Sequence, residues 1–264
     1  MIYAIIVVYN KYLKDSNTYN FFSSRKTPIN LVIFDNSEEK FRIVNERICS
    51  DNNISYYTSN RNVGLSKAYN SAISKLKENS NVKYVIILDD DTTLTDSYIT
   101  EVVGLVKEKK HDVFLPIVRA GNEIISPCEL YLNIKYKKTK DVNRLNPNKL
   151  TAINSGMIVS MNVYQKISYD ERLFLDDVDH LFMYFVNKNN FNVYVMKSEI
   201  FQNYSRNQKG SLESEKTRFK IWLKDHRNYC SIRHIMLFYH ITTLKNRIRQ
   251  FRKNDFNSFF LFYK

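Results

Sequence analysis

Tyr84-Val85-Ile86-Ile87-Leu88-Asp89-Asp90-Asp91-Thr92-Thr93 is the stretch on which the reading of this chain turns. An unbroken run of aliphatic and β-branched residues reads as a strand covered on both faces. It stops at three consecutive aspartates. In an open α/β sheet, ligands bind in the crevice outside the carboxyl ends of the strands. Three carboxylates gathered there repel one another unless a cation joins them. A divalent metal held by oxygen ligands, with a phosphorylated substrate on its far side, meets that need. Helix capping and the macrodipole account for one or two such aspartates, but poorly for three directly behind a fully apolar strand.

Working outward, Ile2 to Tyr9, Asn30 to Phe34 and Ile54 to Thr58 have the same strand character, and the second ends at Asp35-Asn36-Ser37. Leu65, Ala68, Tyr69, Ala72, Ile73 and Leu76 recur at helical spacing. Strand and helix alternating in this way predict an α/β fold, a parallel sheet with helices on both faces. Beyond Asp91 the pattern predicts a helix over Thr95 to Lys110 and a strand over Asp112 to Val118. Residues 119–150 are polar and basic, with Lys135, Lys137, Lys138 and Lys140 clustered, and read as an irregular surface excursion. Ala152 to Ser160 reads as a strand, Asp179 to Asn189 as a helix and Phe191 to Met196 as a strand. From Leu212 onward a long basic segment reads as helical. The division expected is a sheet-based domain over 1–211 and a helical C-terminal extension over 212–264 that packs on it.

Composition narrows the choices. The 264 residues include only 5 Gly and 4 Pro, which argues against collagen-like, linker-like and many-turned all-β designs. The 3 cysteines lie far apart with no CxxC pair, so neither a zinc site nor a disulfide framework is indicated, as in a reducing compartment. No secretory signal and no apolar stretch of about 18 residues is seen. A cytoplasmic protein is therefore expected. The formal charge of +13 calls for an anionic partner. Residues 245–264 interleave Lys245, Arg247, Arg249, Arg252, Lys253 and Lys264 with Phe251, Phe256, Phe259, Phe260, Phe262 and Tyr263. That mixture suits peripheral contact with an anionic membrane, here the inner face of the plasma membrane. It also suits single-stranded nucleic acid, the less favoured partner, or a plain terminal helix. Its aromatics leave oligomerisation open.

Taken in order, the motifs resemble those of the family 2 glycosyltransferases of the GT-A fold, in particular a branch of rhamnosyl- and galactosyl-type enzymes of bacterial polysaccharide synthesis. The resemblance covers about residues 1–235 and implies a Rossmann-like nucleotide-binding sheet flanked by helices. Val7-Val8-Tyr9-Asn10 matches the turn that lies against the nucleotide base, and Asp35 the aspartate that bonds it. A carboxylate can accept the ring N–H, although an Asx-turn would also explain Asp35. Asn62, Gly64 and Lys67 fall in the family's N-x-G-x-x-x-A-x-N pattern, where the glycine lets backbone approach the ligand closely and Arg61 or Lys67 can meet the diphosphate. Asp89-Asp90-Asp91 matches the D-x-D pattern. By resemblance Asp91 coordinates Mn²⁺ or Mg²⁺, Asp89 contacts the metal shell or the ribose, and Asp90 fills the variable, donor-side position.

Ser155, in Asn154-Ser155-Gly156, matches a segment bordering the donor sugar, and Arg227 in Arg227-Asn228 a phosphate-pairing arginine. Asp176-Asp177-Val178-Asp179 matches the acidic pair on the acceptor side. An inverting transfer needs a base there. Alignment favours Asp177, with Asp176 next and Asp179 orienting its neighbours; helix capping is the plainer account of all three. The family often places a metal-binding histidine after the strand matching Phe191 to Met196. Here Gln202 and Asn203 stand instead, and His226 is a remote substitute.

The implied activity is metal-dependent inverting transfer of a hexose or deoxyhexose from a UDP- or dTDP-sugar to a surface-polysaccharide or other glycan acceptor, including lipid-linked saccharides. Two alternatives stand beside it. A sugar-phosphate nucleotidyltransferase would carry a glycine-rich loop after the first strand, and Tyr9 to Asp15 has no glycine. A non-catalytic protein binding nucleic acid or lipid explains the charge but not two clusters of aspartates.

Overall fold

The computed structural model describes residues 1–131, 135–202 and 212–254. The first half runs β1 (Ile2–Val8), α1 (Asn17–Ser23), β2 (Ile29–Asp35), α2 (Glu39–Asp51), β3 (Ser55–Thr58), α3 (Leu65–Lys77), β4 (Tyr84–Asp89), β5 (Thr92–Thr93) and α4 (Asp96–Glu108). Then come β6 (Val113–Ala120), β7 (Glu123–Ser126), β8 (Cys128–Tyr131), β9 (Lys135–Lys137), β10 (Leu150–Thr151), β11 (Met157–Ser160), α5 (Met161–Lys166), α6 (Val178–Lys188), β12 (Val193–Gln202), α7 (Leu212–Ile232) and α8 (Met236–Asn254).

The main sheet has the order β3-β2-β1-β4-β11-β6-β12-β5, with β7 beside β6. Its β3-β2-β1-β4 half is parallel, as the alternation requires. Alternate residues of β1 and β4 feed two cores. Ile5, Val7, Val85 and Ile87 face the side packed by α3 and α6. Ala4, Ile6, Val8, Ile86 and Leu88 face the side packed by α1 and α4. Both faces are covered, which is why these strands show no polar alternation. α7 closes on the first core through Tyr229 and Cys230.

Five expectations change. The sheet is mixed, because β11 runs antiparallel to both β4 and β6; periodicity carries no information on strand direction. The strand expected over 152–160 begins only at Met157, since Gly156 turns the chain with φ +74°. Residues 119–150 are, among those described, not irregular throughout. They hold β7 and a small antiparallel sheet of order β10-β8-β9, short and polar enough to hide its pattern. β12 runs past Met196 to Gln202 across a register irregularity, where Glu101 accepts hydrogen bonds from the backbone N–H of Lys197 (3.0 Å) and Ser198 (2.7 Å). The C-terminal segment is two helices, broken at His234, whose φ is +57°. Among the described residues no helix is long and apolar enough to cross a membrane. Residues 255–264, the second half of the basic-aromatic segment singled out in the sequence and all of its aromatics but Phe251, lie outside the described residues.

Candidate active site

The strand register assembles the site. Val7 of β1 pairs with Asp89 of β4 and Val8 pairs with Asp35 of β2, so both acids stand at the same end of the sheet. β11 runs the opposite way, so its preceding turn arrives at that end and delivers Ser155, whose hydroxyl donates to Asp89 Oδ2. β12 ends there too, and Gln202 Nε2 donates to the same oxygen at 2.9 Å. Burial pushes the Asp89 carboxyl up to about 6 against the pull of the Ser155 hydrogen bond, and the charges of Asp91, Asp90 and Asp179 push the same way. Asp90 turns aside to an ion pair with Lys11 at 2.7 Å. Burial raises its proton affinity as well, with Lys11 opposing and Asp91 adding. Ser16 and Thr18 hold the turn by donating to the carbonyls of Asp90 (2.7 Å) and Asp89 (2.5 Å).

Asp89 and Asp91 offer hard oxygen donors, and the Gln202 amide lies beside them. Asn203 is outside the described residues. No three His, Cys, Asp or Glu side chains are grouped to hold a metal among the described residues. Mg²⁺-like cations are commonly held by one or two carboxylates with substrate phosphates and water. The donor set therefore fits a divalent cation completed by a diphosphate, and not a closed protein cage.

Beside this lies the end of β1. Val8 is buried, Tyr9 is 57% exposed, and Asn10 adopts φ +50°. The Asn10 N–H donates to Ser37 Oγ at 2.7 Å, and its Oδ1 accepts from the Glu38 N–H at 2.9 Å. Asp35 departs from expectation. It is fully buried and accepts from Ser37 N (2.9 Å), Asn45 Nδ2 (2.8 Å) and the Tyr56 hydroxyl (3.2 Å). It braces the wall of the crevice and does not open onto it, because the Asn45 and Tyr56 side chains arrive from α2 and β3.

Gly64 also differs from its expected role. Its backbone admits a close neighbour, but that neighbour is the chain's own Phe174. Leu65 N–H donates to Phe174 O at 2.6 Å, and a Cβ on Gly64 would sit 2.6 Å from the same oxygen. With φ at +82° as well, Gly64→Ala is expected to cost about 3 kcal/mol in chemical denaturation. A smaller loss than about 1 kcal/mol would show that the 174 segment shifts freely. Asn62 Oδ1 accepts from the Gly64 N–H at 3.0 Å, while Lys67 is exposed on α3.

The segment that carries Phe174 leads into the second acidic cluster, and each aspartate there has its own environment. Asp176 accepts from both terminal nitrogens of Arg218. Asp177 has φ +58°, accepts from the Tyr136 hydroxyl at 2.8 Å, and lies 2.9 Å from His226 Nδ1. Burial alone would raise its proton affinity, but His226, His180 and Tyr136 outweigh it and hold the carboxyl below its ordinary value. Asp179 is the reverse: burial raises its proton affinity, Asp177 adds to that, and His180 only partly offsets it. Tyr136 also stacks on His180, with centroids 3.8 Å apart.

Sequence reasoning missed several of these partners. Arg218, Tyr136 and Lys11 looked like ordinary members of basic or aromatic segments. Asp225, 0% exposed on α7, accepts from the backbone N–H groups of Phe174 (2.9 Å), Leu175 (2.7 Å) and Asp176 (2.9 Å). Hydrogen bonds to a charged group are each worth about 1.5–3 kcal/mol. Asp225→Ala should therefore lower stability by about 3–5 kcal/mol in urea unfolding, and Asp225→Asn should recover little because its NH₂ would face N–H donors. Stability equal to wild type would mean the segment holds without α7. Arg227, next but one to it, is exposed.

Residues 3–168 match the family model for glycosyl transferase family 2. No curated protein matches the sequence. Among solved structures, S. aureus TarS 1–349 in complex with UDP is 17% identical with a TM-score of 0.57, the match covering 86% of this chain and 65% of that one. GalNAc-T7 with UDP, GalNAc and Mn²⁺ is 15% identical with a TM-score of 0.60, over 84% of this chain and 47% of that one. The mannosyltransferase PcManGT from Pyrobaculum calidifontis, in complex with GDP-Man and Mn²⁺, is 11% identical with a TM-score of 0.60, over 88% and 64%. The chain thus spans less than two thirds of the length of each, and 40% of a longer TarS structure. At these identities the likeness establishes the GT-A fold. The fold places the Asp89–Asp91 turn, the Ser155 turn and the 176–179 cluster around one end of its sheet, and the family model covers more than half of the sequence: the chain belongs to glycosyltransferase family 2.

Proposed function

We propose that this protein is a metal-dependent inverting glycosyltransferase that moves a hexose or deoxyhexose from a UDP- or dTDP-sugar to a surface-polysaccharide or other glycan acceptor, lipid-linked saccharides among them. The observation that carries this reading is the convergence of Asp89, Asp91, Ser155 and Gln202 at the carboxyl end of the sheet, within electrostatic reach of Asp179 in the second acidic cluster. A divalent cation bound at Asp89 and Asp91 would offset the charge of the diphosphate and of the departing nucleoside diphosphate.

The chain's own groups take the remaining roles. The exposed Tyr9 ring and Asn10 line the nucleotide side, with Asp35 bracing them from beneath. The exposed Lys67 and Arg227 supply positive charge for phosphate oxygens, and Lys11 does so once it leaves Asp90. Ser155 fixes the orientation of Asp89. Asp177 is the base: His226 orients it, its low proton affinity keeps it ionised, and its Oδ1 already accepts from one hydroxyl, that of Tyr136, as it would from an acceptor's. Asp176, clamped by Arg218, shapes the turn.

Thermal stabilisation of the full chain by UDP, dTDP, GDP and CMP, each with and without Mn²⁺, tests the donor half. UDP or dTDP is expected to stabilise strongly only with the metal. No stabilisation by any nucleotide–metal pair overturns the reading, and a retained anomeric configuration in the product overturns its inverting part.

A further inference from the structure

Helix α8 contains no acidic residue along its length from Met236 to Asn254. Its inner face is committed to the body of the protein. Phe238 and Tyr239 pack around the His226 ring, and Thr242 Oγ1 lies 2.8 Å from His226 Nε2. Its outer face is different. Leu237 is 75% exposed, Ile241 and Leu244 58% each, and Ile248 41%. Steps of four, three and four residues put these side chains on one stripe. Lys245 and Arg249 are exposed along its edge. A contiguous exposed aliphatic stripe marks an interaction surface.

Charge decides between occupants. The spacing would also suit a coiled-coil seam with a second copy. That pairing would set two helices face to face, each carrying Lys245, Arg247 and Arg249 and neither offering a carboxylate. An anionic surface has the complementary sign, and the chain's net charge of +13 favours approach to it. Lysine and arginine beside an aliphatic stripe can keep their heads at lipid phosphates while their stems follow the apolar face. The helix is too polar to cross a bilayer, so it lies in the interface.

We infer that α8 docks this protein on an anionic lipid bilayer, with Leu237, Ile241, Leu244 and Ile248 entering the acyl boundary and Lys245 and Arg249 meeting lipid phosphates. The docking face is opposite Thr242, two hydrogen bonds from Asp177 through the His226 ring.

Flotation of the full chain with phosphatidylcholine vesicles, with and without phosphatidylglycerol, tests this directly and needs neither donor nor metal. Binding is expected to the mixed vesicles, weakening with salt. The triple variant Leu237→Glu/Ile241→Glu/Leu244→Glu should partition at least about ten-fold more weakly, and Lys245→Gln/Arg249→Gln several-fold more weakly with less salt sensitivity. Unchanged melting curves verify that the variants fold; if the triple variant does not, Leu244→Ser/Ile248→Ser gives the same reading. The inference is overturned if the wild type ignores both vesicles or if the stripe variants bind as well as the wild type. It is also overturned if sedimentation shows a wild-type dimer that the stripe variant splits, which assigns the face to a second copy.

Discussion

Replacing Asp91 or Asp89 with asparagine should abolish Mn²⁺-dependent nucleotide binding and lower turnover by at least about 10²- to 10³-fold, as loss of a charge-stabilising group at a reacting phosphate does. The two variants should differ in stability. Asp89 carries a proton affinity raised to about 6 by burial, with Asp91, Asp90 and Asp179 adding to it against the Ser155 hydrogen bond. In the metal-free protein, the folded state therefore holds that proton more tightly than the unfolded chain between the ordinary value of 3.8 and about 6. Raising the pH through this window removes the proton and takes stability away; acidification through it restores stability. A bound cation reverses the preference, because it favours the ionised carboxylate. Metal-induced stabilisation should thus be large at neutral pH and small below about 5. Asp89→Asn should melt no lower than wild type at neutral pH without metal, and should lose this pH dependence. Turnover undiminished in both variants would reject the site.

Asp177→Asn should lower turnover by about 10²- to 10⁴-fold, the range a positioned general base contributes, while leaving the KM for the donor nearly unchanged. Asparagine retains an oxygen for Tyr136 but cannot take a proton. Asp176→Asn, which only weakens the partly exposed Arg218 pair, should cost far less, as should Asp179→Asn. The left-handed backbone at Asp177 fits this assignment, since a non-glycine residue held there is strained and persists where its surroundings fix it. A full steady-state comparison of the three variants decides. Wild-type turnover in Asp177→Asn with loss in Asp179→Asn would move the base by two residues.

How much of this could be read from the chain alone depended on the reach of the signal. β1, β2 and β4 were legible because strands covered on both faces are apolar throughout, and α3 because one side of it faces the core. The site was legible where motifs sit at strand ends, as at Asp89. It was not legible where a partner arrives from far along the chain. Nothing in Asn62-Val63-Gly64 announces Phe174, and nothing near Asp176 announces Arg218 or Asp225. The fully buried setting of Asp35 depends on Asn45 and Tyr56, which come from different elements. The sheet made by β8, β9 and β10 escaped notice because its strands are short, β9 is lysine-rich, and β10 pairs with β8 from far along the chain.

The reversed direction of β11 has a consequence for the sensitivity of the site. Met157 pairs with Ile87 and Ser160 with Tyr84, and the Gly156 N–H caps the ladder on Ile87 O at 2.8 Å. These pairings act as a ruler that sets how far Ser155 extends toward the acid it steadies. Side chains alternate along a strand, so a one-residue slip would swap inward and outward faces at once. An insertion anywhere in 157–160 would thus draw the hydroxyl away from Asp89 while every residue of the motif remained in the chain.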